Sequence, residues 1–467
     1  MLGKRLNKKI GIYFLGMLSS KIFPVLLIPI YAFYVFPKDF GYYDFAYTVM
    51  GIAIPFLYIA IWEAILRFIL SEENEKTKRT AAATSAFFSL FITFILILGS
   101  VIYAFVSENE NVLLIVIMYG SHALALIWQY YARAFEESYT YVFAGIIGTI
   151  VNFISVLILI VMFNLGLNGL LISYILGQFA VFVFIELKIK VRRSIRVENF
   201  NVSTLKKMLL YSSPLVLNLT STWLMSAYGR LIITVKLGAE ANGMFAFSSN
   251  FSLIISMLGS VVTMAVIEEA IISAKKQGFD SGFTKTIESI FKIFLSIAMI
   301  ALPLIIIFYA FIKDTDYYTS LKLTPWQLIY AVTVTLSSTI GAIFQAIDMT
   351  KYQFITTVAG AVVTVVVSTV LIDNIGIYAV IIGQVMGAIT MLLSRYALVN
   401  KFIEFKINWN PVINMTGLYL LFTMFTINSH YLVSIIIFPI IIAFVCYINW
   451  ENIRPGYQLL KKKLYKK

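Results

Sequence analysis

The feature that most constrains this chain is a succession of long apolar runs. A membrane-spanning helix needs roughly 20 mostly apolar residues. About fourteen segments reach that length, at approximately 10–36, 42–70, 80–106, 112–134, 141–163, 167–187, 208–235, 242–270, 285–311, 324–347, 352–372, 375–398, 411–428 and 430–449. The first run is too long for the apolar core of a signal peptide, so we interpret it as a retained helix. The sequence therefore predicts an all-α, polytopic membrane protein.

The amino-acid composition limits the classes of protein to which this chain can belong. Of the 467 residues, 60% are hydrophobic and 13% are charged, whereas a soluble domain has about 45–50% and about 25%. The net charge of +13 lies in short loops rather than on one basic face, so we expect no nucleic-acid partner. One cysteine (Cys446) and two histidines (His122 and His430) provide neither a disulfide framework nor a Cys- or His-ligated metal site.

The basic residues predict the orientation in the membrane. With the N-terminus placed inside, 28 Lys and Arg fall on the inner side and 4 on the outer side. Because inner loops of membrane proteins are enriched in Lys and Arg, this split predicts an even number of helices with both termini cytoplasmic.

A weak internal repeat predicts two lobes. The segment PKDFGYYDF at 37–45 recurs as AEANGMFAF at 239–247, at an offset of 202. Gly166 and Gly177 have counterparts in Gly376 and Gly387, at an offset of 210 and in the same order. Each half carries six spans, so the copies have the same orientation and imply a pseudo-two-fold axis along the membrane normal. We expect an N-terminal lobe at 1–187, a basic cytoplasmic linker at 188–207, a C-terminal lobe at 208–398, and two extra helices with a basic tail at 399–467. Two like lobes that meet at a cleft are typical of transporters with alternating access.

Charged residues within the spans are the candidate site. A Lys or Arg at the centre of a membrane helix costs roughly 2.5–3.5 kcal/mol, so such residues face a cleft, pair with acids or extend to the surface. The candidates for substrate binding are Lys21, Arg67, Arg230 and Lys292, and the candidates for gating or ion pairing are Glu63, Arg67, Glu268 and Glu269. The cations suit a pyrophosphate, since Arg forms bidentate hydrogen bonds and Lys supplies a point charge.

Each candidate also has a structural interpretation. Lys21 lies near the predicted membrane centre and could instead form a structural pair with Glu63. Glu63 and Arg67 are four residues apart and can pair on one helix face. Arg230 and Lys292 could extend to opposite membrane surfaces. His122 could shuttle a proton, or simply be a hydrogen-bonded interior residue.

Three short motifs resemble a known family. They are EAILRF at 63–68, LLYSSPL at 209–215, and ANGMFA at 241–246 after Gly238. The chain resembles O-antigen or teichoic-acid type oligosaccharide flippases of the multidrug/oligosaccharidyl-lipid/polysaccharide (MOP) superfamily. In one respect the chain departs from the family. An Asp-Arg pair that is frequent there reads Gly229-Arg230 here, so the chain has no acid at this position to take an ion-coupling role.

The resemblance implies a function. The implied activity is transfer of an undecaprenyl-diphosphate-linked oligosaccharide across the bacterial cytoplasmic membrane, without enzymatic chemistry or a cofactor. The energy source would be a coupling ion (H⁺ or Na⁺) or the membrane potential, and a polysaccharide polymerase is a further expected partner. The alternative in the same superfamily is a cation-coupled antiporter of drugs or metabolites, for which Glu63 is the best candidate acid. A membrane glycosyltransferase would need a larger outer loop than the one near 313–323.

The repeat generates a prediction about gating. An offset of 202 places Glu269 opposite Arg67, so we expect Arg67 to pair with Glu268 or Glu269 and close the cytoplasmic side. Arg67→Glu and Glu269→Arg should each lower transport roughly tenfold or more, because each places like charges together. The double swap should restore transport in reconstituted vesicles, and a double swap that restores nothing contradicts the pairing.

Overall fold

The described part of the chain is built from helices. A computed structural model describes residues 26–70, 72–107, 110–193, 196–275, 281–347, 349–404, 406–427 and 431–449. Every regular element in these ranges is a helix, which confirms the predicted all-α fold.

The first compact unit extends to Thr234. Its helices are α1 (residues 26–34), α2 (Pro37–Leu57), α3 (Ile61–Leu70), α4 (Glu75–Ser107), α5 (Glu110–Ala134), α6 (Ser138–Val156, continued as a π-helix over Leu157–Met162), α7 (Gly166–Ile189) and most of α8 (Val202–Leu237). Two short 3-10 helices, Val191–Arg193 and Val197–Asn199, connect α7 to α8.

The second compact unit begins at Val235. It contains α9 (Ala239–Asn250), α10 (Ser252–Lys275), α11 (Ser281–Phe311), a 3-10 helix (Asp316–Lys322), α12 (Thr324–Ala346), α13 (Thr350–Ile375), α14 (Ile377–Val399), α15 (Asn410–Thr426) and α16 (Tyr431–Ile448). The last two predicted spans are therefore separate helices.

The helices account for the predicted spans. Within the described ranges, nine helices are individually long and apolar enough to cross a membrane, and two bent pairs bring the number to eleven. The bent pairs are α2 with α3, at 55°, and α9 with α10, at 50°. With each bent pair counted once, α1 to α16 give fourteen helical segments in those ranges, in agreement with the number expected.

The compact units divide inside a helix. The boundary follows Thr234, whereas α8 is continuous from Val202 to Leu237. The linker predicted at 188–207 instead covers the end of α7, the two 3-10 helices and the first turn of α8. The division into lobes at that linker remains a prediction.

The bend between α2 and α3 has a local cause. Pro55 lies inside α2 and has no N–H to donate, which weakens the helix one turn before the bend. Ile59 and Ala60 then adopt left-handed φ values of 50° and 46°, which non-glycine residues rarely do. The Tyr58 hydroxyl lies 2.8 Å from Oγ1 of Thr93 on α4 and anchors the bend.

Helix α4 shows the polarity expected in lipid. Phe91 and Phe94 are 61% and 63% exposed, whereas Ser85 and Ser89 are fully buried. The hydroxyl of Ser85 lies 2.7 Å from that of Tyr131 on α5. Because hydrocarbon offers no hydrogen-bond partner, the polar side chains of this helix face the protein and the aromatic ones face outward.

Glycines permit close helix contact at equivalent places in both units. A Cβ on Gly148 of α6 would lie 2.9 Å from the carbonyl oxygen of Gly177 on α7. A Cβ on Gly387 of α14 would lie 2.5 Å from the carbonyl oxygen of Gly360 on α13. The sequence comparison already aligned Gly177 with Gly387, so the same helix–helix contact recurs within each unit.

This packing gives a stability prediction. Gly387→Ala should destabilise the protein by about 1–3 kcal/mol, because the new methyl group meets backbone that cannot move away cheaply. The matched control is Gly417→Ala on α15, where an added Cβ meets nothing within 4 Å, and helix propensity there favours alanine by about 1 kcal/mol. Thermal unfolding in detergent should show opposite shifts. Equal shifts would contradict the close contact.

Candidate functional site

Three of the predicted site residues fall outside what the structure describes. Lys21 precedes the first described residue, and the side chains of Glu268 and Glu269 are not described although their backbone belongs to α10. The predicted contact of Lys21 with substrate and the predicted charge pair of Arg67 with Glu268 or Glu269 remain predictions.

In the first unit, Arg230 lies on a face where α8 packs against α2. The indole Nε1 of Trp223 donates to the carbonyl oxygen of Thr48 at 2.6 Å, and a Cβ on Gly51 would lie 2.8 Å from the Trp223 ring. Asp44 lies one turn before Thr48 on α2, and Arg230 lies two turns after Trp223 on α8. The side chains of Asp44 and Arg230 are also in contact. The later residue of α2 thus contacts the earlier residue of α8, so the two helices are antiparallel here.

Arg230 forms an ion pair that the sequence did not reveal. Its Nε lies 3.2 Å from Oδ2 of Asp44, and the two side chains are 27% and 12% exposed. Both interpretations offered for Arg230, extension to the surface and a phosphate contact, left out this acid. The departure at Gly229 removes an acidic neighbour in sequence, but Asp44 supplies a carboxylate from α2.

Aromatic side chains lie along the same part of α2. The rings of Tyr43 and Tyr47 contact the ring of Tyr174 on α7 edge-on, with centroids 6.4 and 5.8 Å apart. The Tyr174 hydroxyl lies 2.6 Å from Nδ1 of His122 on α5, and the two rings are stacked. His122 is thus hydrogen-bonded and packed, as its structural interpretation predicted. Tyr47 keeps 44% of its surface exposed close to the ion pair.

Glu63 belongs to a second polar cluster in the first unit. Its Oε1 accepts a hydrogen bond of 2.8 Å from the hydroxyl of Tyr130 on α5. The guanidinium of Arg133 lies 4.9 Å from the centre of the Tyr130 ring and 6.0 Å from that of Tyr141. Tyr130 therefore links Glu63 to a cation on another helix, a link that the i,i+4 spacing to Arg67 could not indicate.

Arg67 is exposed and rests on an aromatic ring. Its guanidinium lies 4.9 Å from the centre of the Tyr211 ring on α8, and Phe68 meets the same ring edge-on at 6.0 Å. A guanidinium held over an aromatic face is attracted by the ring quadrupole and still presents its N–H groups at the edge. Tyr211 lies in the LLYSSPL motif, so this motif positions the Arg67 of the EAILRF motif.

In the second unit, the buried cation is one that the sequence analysis did not select. This cation is Arg395, one of the 28 basic residues placed on the inner side. It lies in α14 and is only 4% exposed. It donates to Ser337, Thr356 and Thr357, at 2.8 to 3.3 Å. Its neighbour Gly341 leaves room for the guanidinium, since a Cβ there would lie 2.8 Å from Nη1. Only the position of Arg395 inside the predicted span 375–398, three residues before its end, could have indicated burial.

Lys292 is half-buried in α11. Among the described residues, no carboxylate lies within 4 Å of its ammonium group. Its proposed contact with substrate remains a prediction.

The sequence predicts interfacial aromatic belts from tyrosines near the ends of the spans, namely Tyr42, Tyr43, Tyr130, Tyr131, Tyr317 and Tyr318. Four of them show two different outcomes in the structure. Tyr42 and Tyr318 are 46% and 43% exposed, in keeping with that assignment. Tyr131 and Tyr317 are 0% and 1% exposed, so the belt interpretation is wrong for them. Tyr131 bonds Ser85, and Tyr317 stacks on Phe247 with centroids 4.3 Å apart. Both sit at span ends in the sequence but face the protein interior.

These contacts define what the first unit can bind. Arg67 and Arg230 each lie beside a partly exposed aromatic ring, an arrangement in which a cation can meet a negatively charged group. In the ranges that the structure covers, no three His, Cys, Asp or Glu side chains are placed to hold a metal ion.

More than half of the chain matches a known protein family. Residues 6–268 match the family described as polysaccharide biosynthesis protein. No curated protein sequence matches the chain.

Several solved structures share the fold. A lipid II flippase, MurJ, in an inward closed conformation, superposes with a TM-score of 0.70 at 14% identity, over 95% of this chain and 99% of that one. An outward-facing multidrug resistance MATE family transporter of the MOP superfamily superposes with a TM-score of 0.52 at 16% identity, over 85% and 96%. The Vibrio cholerae MATE transporter VcmN in the bent form gives 0.51 at 15%, over 90% and 98%.

The expected all-α, polytopic fold is thereby confirmed. The family match spans more than half of the chain, the residues that resembled this family lie within it, and the fold is shared over nearly the full length. The chain is a multi-pass membrane protein that belongs to the polysaccharide biosynthesis protein family.

Proposed function

We propose that this protein flips an undecaprenyl-diphosphate-linked oligosaccharide across the bacterial cytoplasmic membrane, for assembly of a cell-surface polysaccharide such as O-antigen. The observation that carries the proposal is the family match over residues 6–268 in a chain whose fold is that of a lipid II flippase. A polysaccharide polymerase is a natural partner downstream. Both termini would face the cytoplasm, in line with the excess of Lys and Arg on that side.

In this proposal the in-span cations hold the diphosphate while the sugars stack on neighbouring rings. Arg230 and Tyr47 on one face, and Arg67 with Tyr211 on another, supply such combinations within the first unit. Lys21 and Lys292 would add point charges. The prenyl chain stays in lipid, so the protein needs to shield only the headgroup.

Asp44 has a role in this cycle. A carboxylate 3.2 Å from Arg230 neutralises the arginine when no substrate is bound, and so lowers the cost of keeping a cation in the membrane. An arriving phosphate would replace Asp44 as the partner of Arg230, and Asp44 would take Arg230 back as the phosphate leaves. Such an exchange keeps the charge compensated throughout.

The membrane potential is a sufficient driving force in principle. An interior-negative potential favours outward movement of one negative charge by about 2.3 kcal/mol per 100 mV. A diphosphate carries two or more such charges, so no nucleotide or cofactor is needed. Coupling to H⁺ or Na⁺ would add to this term.

A second candidate is a cation-coupled antiporter of drugs or metabolites. It is favoured by the fold shared with multidrug resistance MATE transporters and by the placement of Glu63, whose carboxylate is hydrogen-bonded by Tyr130. That reaction needs an acid that gains and loses a coupling ion during the cycle.

Reconstitution discriminates between the two functions. Native protein in vesicles is expected to move a fluorescent lipid-linked oligosaccharide between leaflets, and Lys21→Ala should slow transfer at least about tenfold, because one charge-assisted contact to phosphate is lost. Lys401→Ala, an exposed loop cation, is the matched control and should transfer normally. Native protein that moves hydrophobic cations but no glycolipid supports the antiporter instead.

The exchange at Arg230 makes its own prediction. Arg230→Gln should weaken binding of the lipid-linked diphosphate about tenfold, because one ionic contact is lost. Asp44→Asn should tighten binding but slow transfer, since release then lacks the competing carboxylate. A purely structural pair predicts that both variants lose stability alike with no gain in binding. The control is Lys236→Gln, which removes the exposed ion pair with Asp373 and should change neither property.

A further inference from the structure

The basic segment after α7 lines a cavity that the transport proposal does not use. The cavity has a volume of about 1230 Å³ and lies entirely within the first unit. Its walls come from the first turn of α4, the junction of α5 and α6, the end of α7, and the described residues of the segment that follows α7. It is large enough to admit a phosphate-bearing group together with its hydration.

The lining of the cavity is strongly cationic. Seven of its fourteen residues are Lys or Arg and three are Glu. Glu75 is paired with Lys78, outside the lining, at 3.2 Å, and Arg192 lies 3.8 Å from Glu186. Among the described residues, the other six cations of the lining have no carboxylate within 4 Å. Like charges gathered in one concavity repel each other, so a multivalent anion would relieve their repulsion.

The beginning of the basic segment is fixed by Glu186. This carboxylate accepts hydrogen bonds from Nε1 of Trp128 at 2.8 Å and from the backbone N–H of Arg192 at 3.1 Å. Lys190 turns the chain with a left-handed φ of 59°, and Val191 is buried at 2% exposure. The cations on either side are therefore held against α7 rather than left on a free tail.

The far end of the segment is attached to α4. The backbone N–H of Asn201 donates to Oγ1 of Thr84 at 3.1 Å, and the ring of Phe200 meets that of Phe87 edge-on at 5.8 Å. With both ends attached, the basic side chains are gathered in advance over the start of α4. Binding would then require little ordering of the backbone.

The cavity is lined by the ends of candidate membrane-spanning helices, where lipid headgroups would lie. Its walls include ends of α4, α5 and α7, all of which are long and apolar enough to span a membrane. Leu187, next to Lys188 on the rim, is 61% exposed, as a lipid-facing residue would be. Basic pockets between the cytoplasmic ends of membrane helices are suited to anionic headgroups.

We infer that this cavity is a binding site for a phosphate-bearing anion, separate from the proposed transport path. Its ligand is either the headgroup of an anionic lipid or a soluble phosphate compound, and both would use the same oxygens on the same cations. Arg79 and Arg193 offer bidentate hydrogen bonds to phosphate, and Lys76 and Lys190 offer point charges.

The test compares two probes on charge-matched variants. Purified protein in neutral detergent is titrated with cardiolipin and, separately, with inorganic pyrophosphate, with phosphatidylcholine as the neutral reference. In the triple variant K76Q/R79Q/R193Q, the Kd for the bound probe should rise about a hundredfold, since each cation contributes roughly fivefold in affinity. The control K207Q/K285Q/K351Q removes the same charge from exposed residues outside the cavity and should bind as the native protein does.

The two probes separate the sources. Saturable binding of cardiolipin alone assigns a lipid headgroup, and equally tight binding of pyrophosphate assigns a soluble phosphate compound. If neither probe binds, or if both triple variants weaken binding equally, the proposal that this cavity binds the anion is wrong. If the first triple variant does not purify as a single species, Arg193→Gln, with an expected fivefold loss, provides the same test.

Discussion

The hydrocarbon of the bilayer offers no hydrogen-bond partner, and the packing of the described helices follows from that constraint. Polar side chains must find each other inside the helix bundle, so Ser85 bonds Tyr131 and Thr93 bonds Tyr58. Apolar burial cannot drive helices together here, because lipid is as apolar as a protein core. Close contact through Gly148 and Gly387, together with buried hydroxyl pairs, provides the association instead.

This constraint explains what the sequence could predict. Hydropathy depends only on the order of residues along the chain, and each spanning helix must be long and apolar enough by itself. The number of helices and bounds such as those of α12 and α16 therefore follow from the sequence to within a few residues. The lateral placement of side chains does not follow. Tyr131 and Tyr317 look like interfacial residues by position, and only the packing of neighbouring helices turns them inward.

The candidate site was predictable only in part for the same reason. In-span cations can be found by inspection, and Arg67 and Arg230 both lie beside aromatic side chains or acids in the structure. Their partners could not be found, because Asp44 and Tyr211 come from helices distant in sequence. A search for partners three or four residues away pairs Arg67 with Glu63, whereas the carboxylate of Glu63 is hydrogen-bonded by Tyr130.

Arg395 and Arg230 offset the cost of a membrane charge in different ways, and the difference bears on which of them suits the proposed transport. Arg395 is enclosed by fixed neutral oxygens from Ser337, Thr356 and Thr357 and is 4% exposed, so an anion could reach it only by breaking several hydrogen bonds. The guanidinium of Arg230 lies beside the carboxylate of Asp44, and its side chain remains 27% exposed. A carboxylate is chemically closest to the phosphate that would replace it, so exchange at Arg230 costs little. For this reason the proposed exchange assigns Arg230, and not the more deeply buried Arg395, to a cargo that would bind and leave in every cycle.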